Sequence, residues 1–359
     1  MNQKTTLALP KYPAEHDLWT HLADSDKPIL MYGMGNGADK ILSVLDGRGI
    51  TVSDFFASDG FVRGHHFHGK RVLSYSEAKE KYGSFTVLLA FGSSLDDVID
   101  NILKIAAEQE LYAPDVPVCG GELFDREFYN RNYGEICRAY NTLADDTSKE
   151  IFSAVINFKL TGDIRYLLDA PFDDGNDLFD YEHMRVCVDA GAYRGDSARD
   201  MLSKGGNIEK IYALEPDRKT FAKLCAYADT ESRVIPFNCG AWCESSLGTF
   251  SDQGNRNSTF CSEHGILTKL ETIDNIIGED IPSYIKYDVE GCEREAIDGS
   301  CESIKAYSPS LLVSVYHRSE DIFSLVNKLS DDFDLYDIYM RRKKYIPAWD
   351  VYICAKKKG

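Results

Sequence analysis

Three carboxylates fall within six residues where an apolar run gives out, in Ile285-Lys286-Tyr287-Asp288-Val289-Glu290-Gly291-Cys292-Glu293. Asp288 and Glu290 alternate with Val289, and alternate side chains of an extended chain share a face, so the pair is expected to point into one crevice. Acids held together in a partly buried place raise one another's pKa, which leaves one of them able to act as a base near neutral pH. The same oxygens suit Mg²⁺ or Ca²⁺ better than zinc, and they also serve as ordinary caps of a turn. His317, directly after Val313-Ser314-Val315-Tyr316, has an ordinary pKa suited to proton transfer, although a single histidine is as readily a satisfied core or surface residue.

A second constellation is Val186-Cys187-Val188-Asp189-Ala190-Gly191-Ala192-Tyr193-Arg194-Gly195-Asp196-Ser197. An apolar run that ends in an acid and passes through a glycine turn into a helix reads as the start of a nucleotide-binding α/β unit. Glycine lets the chain turn sharply and brings backbone close to a ligand, although Asp189 serves equally well as a brace of the turn through its backbone amides. Ile211-Tyr212-Ala213-Leu214-Glu215-Pro216 is another apolar run ending in an acid, and Glu215 is placed to accept hydrogen bonds from a ribose. Bare of context, this pattern fits NAD as well as S-adenosylmethionine.

These residues need a sheet to bring them together. From Arg185 onward strands are expected at 186–190, 211–214, 234–237, 285–289 and 311–316, with a terminal antiparallel pair at 335–340 and 350–355. Helices are expected at 197–203, 218–229 and 319–329, and residues 238–270 read as a loop and β excursion at the sheet edge, with a polar loop at 251–262. In a doubly wound sheet, ligands sit outside the carboxyl ends of the strands, where Asp189, Gly191, Gly195, Glu215, Asn238, Asp288 to Glu293 and His317 converge.

Upstream, Pro28 to Gln109 alternates strands with helices, and its Gly33-x-Gly35-x-Gly37 turn resembles a dinucleotide fingerprint without the usual spacing to the third glycine. The divisions expected are an arm at 1–25, a small Rossmann-like α/β domain at 26–132, a helical linker and lid at 133–184, and the main domain at 185–359. Pro171 to Asp180, with four aspartates, reads as a boundary or a lid.

The chain has 359 residues and a formal net charge of −18, which opposes a nucleic-acid partner. No apolar run approaches the roughly 20 residues that span a bilayer, and Met1-Asn2-Gln3-Lys4 opens no signal peptide, so the expected location is cytoplasmic, without membrane insertion. Ten cysteines without a CxxC pair read as reduced thiols. His65, His66 and His68 lack the partners of a zinc site. Arg341-Arg342-Lys343-Lys344 reads as a solvated hairpin rim, or as a patch that touches an anionic substrate.

The 188–197 turn, the Ala213-Leu214-Glu215-Pro216 strand end, Thr268 to Ile276 and above all the Lys286-x-Asp288-x-Glu290-Gly291-x-Glu293 block resemble the FkbM-type S-adenosylmethionine-dependent methyltransferases, over about residues 185–355. The resemblance implies a class I methyltransferase-type doubly wound α/β sheet, mostly parallel with a C-terminal antiparallel strand pair, preceded by a smaller Rossmann-like α/β domain. It implies S-adenosyl-L-methionine as cofactor, held by Asp189, Gly191, Ala192, Tyr193, Gly195, Asp196 and Ser197, with Glu215 on its ribose, Asn238 beside its adenine and Asp288 at the methyl side. Asp288, Glu290 and His317 would be catalytic, with His317 the proton acceptor, no metal would be required, and the acceptor would be a hydroxyl of a sugar or related small molecule. Tyr193-Arg194 departs from the smaller residues common in that turn. Two other readings stand beside it: an NAD-dependent oxidoreductase, and a non-catalytic nucleotide- or nucleotide-sugar-binding module. Self-association into a homo-oligomer is left open.

Overall fold

The computed structural model describes residues 16–62, 64–250 and 266–359. The polar loop expected at 251–262 and most of the arm lie outside the described residues. The chain enters through α1 (Leu18–Ala23), capped by Asp17, and Leu18, Trp19 and Leu22 are buried against the first sheet. β1 (Ile29–Tyr32) leads through the glycine turn into α2 (Asn36–Gly47), and β2 (Asp54–Ala57) follows. After a small hairpin of β3 (His66–Phe67) and β4 (Lys70–Arg71) come β5 (Leu73–Ser74), α3 (Tyr75–Tyr82), β6 (Thr86–Leu89), α4 (Asp96–Glu108) and β7 (Glu110–Tyr112). The first sheet is five-stranded and parallel, in the order β5-β2-β1-β6-β7. Its central strands β1 and β6 are buried at every residue, as continuous apolar runs must be when helices cover both faces. Gly37 answers a packing need, because a Cβ there would lie 2.4 Å from the Ala90 carbonyl oxygen.

The segment from Leu111 onward is less of a link than its composition suggests. Leu111 pairs with Val87 in the fifth strand, and the helical region starts at Arg126 because the Asp125 side chain accepts the Phe128 N–H at 3.0 Å. α5 (Arg126–Thr142), α6 (Asp146–Thr161) and α7 (Arg165–Asp169) then lie across both sheets. One continuous apolar core runs from Leu30 and Val87 of the first sheet through Ile136, Phe152 and Val155 of these helices to Ile285 and Val313 of the second.

The second sheet is built from β8 (Val186–Ala190), α8 (Asp196–Lys204), β9 (Lys210–Leu214), α9 (Arg218–Ala228) and β10 (Val234–Phe237). The excursion at its edge is a three-stranded sheet of β11 (Gly240–Ala241), β12 (Ser246–Phe250) and β13 (Ile266–Glu271) in the order β11-β13-β12, and α10 (Ile273–Ile277) returns the chain. β14 (Tyr284–Tyr287) is followed by two short helices that the sequence reading lacks, α11 (Glu293–Asp298) and α12 (Cys301–Tyr307). β15 (Ser310–Ser314), α13 (Asp321–Asp332), β16 (Tyr336–Arg342) and β17 (Val351–Lys357) complete the order β10-β9-β8-β14-β15-β17-β16, with β17 antiparallel to both neighbours. This is the doubly wound architecture with a terminal antiparallel pair that the sequence implied. The nine described cysteines are unbridged, and no described helix is long and apolar enough to cross a membrane.

The basic run at the end of β16 is only half a solvated rim: Lys343 and Lys344 are exposed, but Arg341 and Arg342 are 4% and 1% exposed, and Ser93 bridges to Ile346 beyond them, tying the two sheets together. At the other end of the second sheet, the turns after β8 and β14 press so close that a Cβ on Gly191 would lie 1.9 Å from the Asp288 carbonyl oxygen. Gly191 also has φ +84°, a backbone conformation that costs a side-chain-bearing residue on the order of 1–3 kcal/mol before any clash. Gly191→Ala is therefore expected to lower the urea midpoint strongly, whereas Gly206→Ala, with open space around the added carbon, shifts stability by less than about 0.5 kcal/mol. Equal midpoints would contradict the close-packed turns.

Candidate active site

The register places Lys286 of β14 beside Asp189 of β8, on one face of adjacent parallel strands. Lys286 Nζ lies 3.1 Å from Asp189 Oδ1, 3.4 Å from the Gly191 carbonyl oxygen and 3.5 Å from Asp288 Oδ2. Burial works against this ammonium, and the carboxylates of Asp189 and Asp288 overcome it and hold its pKa above the ordinary value. Asp189 is fully buried, so the structure places it beneath the turn as the partner of Lys286.

Asp288 Oδ1 accepts hydrogen bonds from Ser314 Oγ at 2.7 Å and Tyr316 OH at 3.2 Å, and lies 3.7 Å from His317 Nε2. Glu290 Oε2 stands 3.6 Å from the same nitrogen. The two acids do converge, but not through the pleat of a strand. β14 ends at Tyr287, and Glu290 at φ +55° followed by Gly291 at φ +88° folds the chain back so that the Glu290 carboxylate meets the imidazole. Glu293 Oε1 accepts the Val289 N–H at 2.9 Å and lies 2.9 Å from His317 Nδ1. Asp288 and Glu290 side chains keep 29% exposure, whereas His317 and Glu293 keep 1%.

Burial alone would lower the pKa of His317, but the surrounding Glu293, Glu290 and Asp288 carboxylates push it up to about 10. Burial would likewise raise that of Asp288, and Lys286, His317 and the two hydroxyl donors together hold it below its ordinary value. The cluster is therefore an imidazolium set among carboxylates. Among the described residues, Asp288, Glu293 and His317 also offer ligand-type atoms within 4.8 Å of one another.

On the other side of β8, Glu215 at the end of β9 is 7% exposed and accepts the Asp217 N–H at 2.8 Å. Desolvation pushes its pKa up to about 7, against the help of that hydrogen bond. The Asn238 amide donates to the carbonyl oxygens of Glu215 at 2.8 Å and Pro216 at 3.2 Å, so it fixes the strand end that presents Glu215. Ala192 is buried and its N–H donates to the Leu214 carbonyl, Tyr193 has φ +50°, and Gly195 caps α8 under the Tyr227 ring. Asp196 and Ser197 line a cavity of about 390 Å³ together with Lys286 and Asp288. Glu215, Asn238, Glu290 and His317 are not among its lining residues.

Several residues of the site have weaker sequence signals. Lys286 and Glu293 stand inside the conspicuous block, and a lysine in a buried strand is a visible anomaly. Val118 and Cys119 have no such signal: their N–H groups donate to the His317 carbonyl at 2.9 and 3.3 Å, and Lys40 of α2 donates to the Val118 carbonyl at 2.6 Å. The segment that follows the first sheet thereby reaches the carboxyl end of the second.

Residues 189–347 match the family described as Methyltransferase FkbM domain. Most of the second sheet and the turns at its carboxyl end lie within the residues that match this family. The crystal structure of methyltransferase FkbM from Methylobacillus flagellatus KT is similar in fold, with a TM-score of 0.71 and 22% identity over 95% of this chain and 94% of that one. A putative rRNA-methylase from Clostridium thermocellum covers 52% of this chain at 10% identity and a TM-score of 0.36, over 94% of its own length. A putative caffeoyl-CoA O-methyltransferase from Staphylococcus aureus covers 51% at 12% identity and 0.32, over 80% of its own length. Comparison with curated proteins finds no match. The match supports methyl transfer in general, where the two glycine turns alone left nicotinamide chemistry open.

The pKa of His317 rises from 6.5 in the unfolded chain to about 10 in the folded protein. Its contribution to stability is therefore complete below the lower value and is lost as pH rises through the upper one. Unfolding in denaturant between pH 6.5 and 10 is expected to show a steeper loss of stability for the native protein than for His317→Gln. Parallel slopes would show that His317 is not a buried imidazolium.

Proposed function

We propose that this chain transfers a methyl group from S-adenosyl-L-methionine to a hydroxyl of a small molecule, with a sugar or sugar-containing metabolite as acceptor. The observation that carries the reading is the pair of part-exposed carboxylates, Asp288 and Glu290, at the carboxyl end of β14 in an FkbM domain.

The residues present fit the cofactor. Glu215 is a desolvated carboxyl whose raised pKa marks a shortage of donors, which ribose hydroxyls would relieve. The Gly191 to Ser197 turn would take the methionine part, and Asn238 would keep Glu215 in place. When bound, S-adenosylmethionine supplies an electrophilic methyl group on a sulfonium.

The chain then has to orient an acceptor hydroxyl and remove its proton. Asp288, held ionised by Lys286, His317, Ser314 and Tyr316, accepts a hydrogen bond from the acceptor and fixes its angle. Glu290 receives the proton as the oxygen attacks. His317 keeps its own proton at neutral pH, so the proton-accepting role expected for it passes to the carboxylates, and the imidazolium positions them. Charge-assisted hydrogen bonds to carboxylates suit the hydroxyls of a carbohydrate.

Glu215→Gln is expected to weaken S-adenosylhomocysteine binding by about 1–3 kcal/mol. The native protein should bind it more tightly as pH rises through about 7, where Glu215 ionises, and the variant should lose that dependence. Unchanged affinity by calorimetry would remove Glu215 from the site. Glu290→Gln is expected to lower kcat by roughly 10²–10⁴ with S-adenosylhomocysteine affinity kept. Full turnover by that variant would place the base elsewhere.

A further inference from the structure

Next to the cavity that holds Lys286 and Asp288 lies a more open one of about 670 Å³, and Asp174 and Lys343 line both. Arg342 forms part of its wall. Arg341 and Arg342 are almost equally buried and very differently answered. Arg341 has the Asp145 and Asp173 carboxylates at 2.6 and 2.8 Å. Arg342 has no carboxylate partner among the described residues. Its Nη1 donates to the Leu167 carbonyl at 2.5 Å and its Nη2 to the Tyr345 carbonyl at 3.5 Å, the Phe172 ring lies 4.7 Å from its guanidinium carbon, and its Nε has no partner. Burial pushes its pKa down to about 10, which still leaves it charged at neutral pH.

A buried charge without a counter-charge is strongly unfavourable unless something supplies one. The rest of the wall points to what that is. Lys343 stands beside Arg342, whereas Lys344 is paired with Asp96 at 2.5 Å, and the amino-terminal end of α6 that brings Thr147 to the wall is already answered by Asp145 and Asp146. The acids of the same cavity are Asp173, committed to Arg341, Asp174, which accepts the Asn176 N–H at 3.1 Å, and Asp177.

We propose that this cavity binds a phosphoryl group carried by the methyl acceptor, on Arg342 and Lys343, while the hydroxyl to be methylated lies in the adjoining cavity at Asp288. The proposal rests on the methyltransferase reading, because it assigns the two connected cavities to two parts of one substrate. It makes the acceptor a phosphorylated sugar or a nucleotide-linked one, and it gives the basic run at the end of β16 a task other than contact with solvent.

Calorimetric titration of the full chain with glucose 6-phosphate, glucose and inorganic phosphate tests it, with S-adenosylhomocysteine titrated separately. Glucose 6-phosphate is expected to bind at least about tenfold more tightly than either glucose or inorganic phosphate. Arg342→Gln should abolish that preference. Lys343 is exposed, so Lys343→Gln keeps the fold and should weaken glucose 6-phosphate roughly 5- to 10-fold with S-adenosylhomocysteine binding unchanged. Equal binding of glucose 6-phosphate and glucose, or no effect of Lys343→Gln, overturns the proposal. Inorganic phosphate binding as tightly as glucose 6-phosphate also overturns it, since the site would then take a free anion. Failure of the native protein to bind S-adenosylhomocysteine would instead overturn the cofactor reading and leave the anion site standing.

Discussion

One buried ammonium, Lys286, holds the turns at the carboxyl end of the second sheet together. It lies between Asp189, at the base of the β8 turn, and Asp288, at the start of the β14 turn, and also touches the Gly191 carbonyl. Three elements of the site therefore share one cation. The arrangement is strong in both directions: the lysine helps hold the Asp288 carboxyl below its ordinary range against burial, and the carboxylates of Asp189 and Asp288 keep the lysine charged against burial. The side chain of Gly191 is missing for the same reason, because the two turns that Lys286 joins leave no room for a Cβ.

A second balance is layered on the first. Glu293, Glu290 and Asp288 surround His317, and the imidazole answers them by holding its proton far above the ordinary range. Asp321, pushed up by burial and by Glu293, extends the same network toward α13. In a chain of net charge −18, the acids at this end of the sheet are arranged around two internal cations, and only the faces of Asp288 and Glu290 that reach solvent remain for an acceptor. The first sheet closes the back of the cluster through Val118 and Cys119, whose thiol lies 3.9 Å from Glu290 Oε2.

What could be read from the sequence was what is local. An apolar run that stops at an acid marks a strand end, and 186–190, 210–214 and 284–287 lie within a residue or two of where that rule puts them. Long-range pairing is what the rule cannot carry. The convergence of Asp288 and Glu290 depends on a positive-φ turn instead of strand alternation, and the charge on His317 depends on Glu293 folding back beneath it. The run from Arg341 to Lys344 looked like a wet rim because four adjacent cations usually are one. Asp145 and Asp173 for Arg341, and the Leu167 carbonyl with Phe172 for Arg342, come from elements far upstream and turn half of the run inward.

The most direct measurement is a calorimetric titration of S-adenosylhomocysteine and of NADH into the native protein and into Lys286→Met, with circular dichroism to establish that the variant is folded. The account predicts one site for S-adenosylhomocysteine on the native protein, none for NADH, and a loss of affinity of at least about a hundredfold in the variant, as expected when a buried carboxylate pair loses its shared cation. Binding of NADH in place of S-adenosylhomocysteine, or full affinity in folded Lys286→Met, would contradict it.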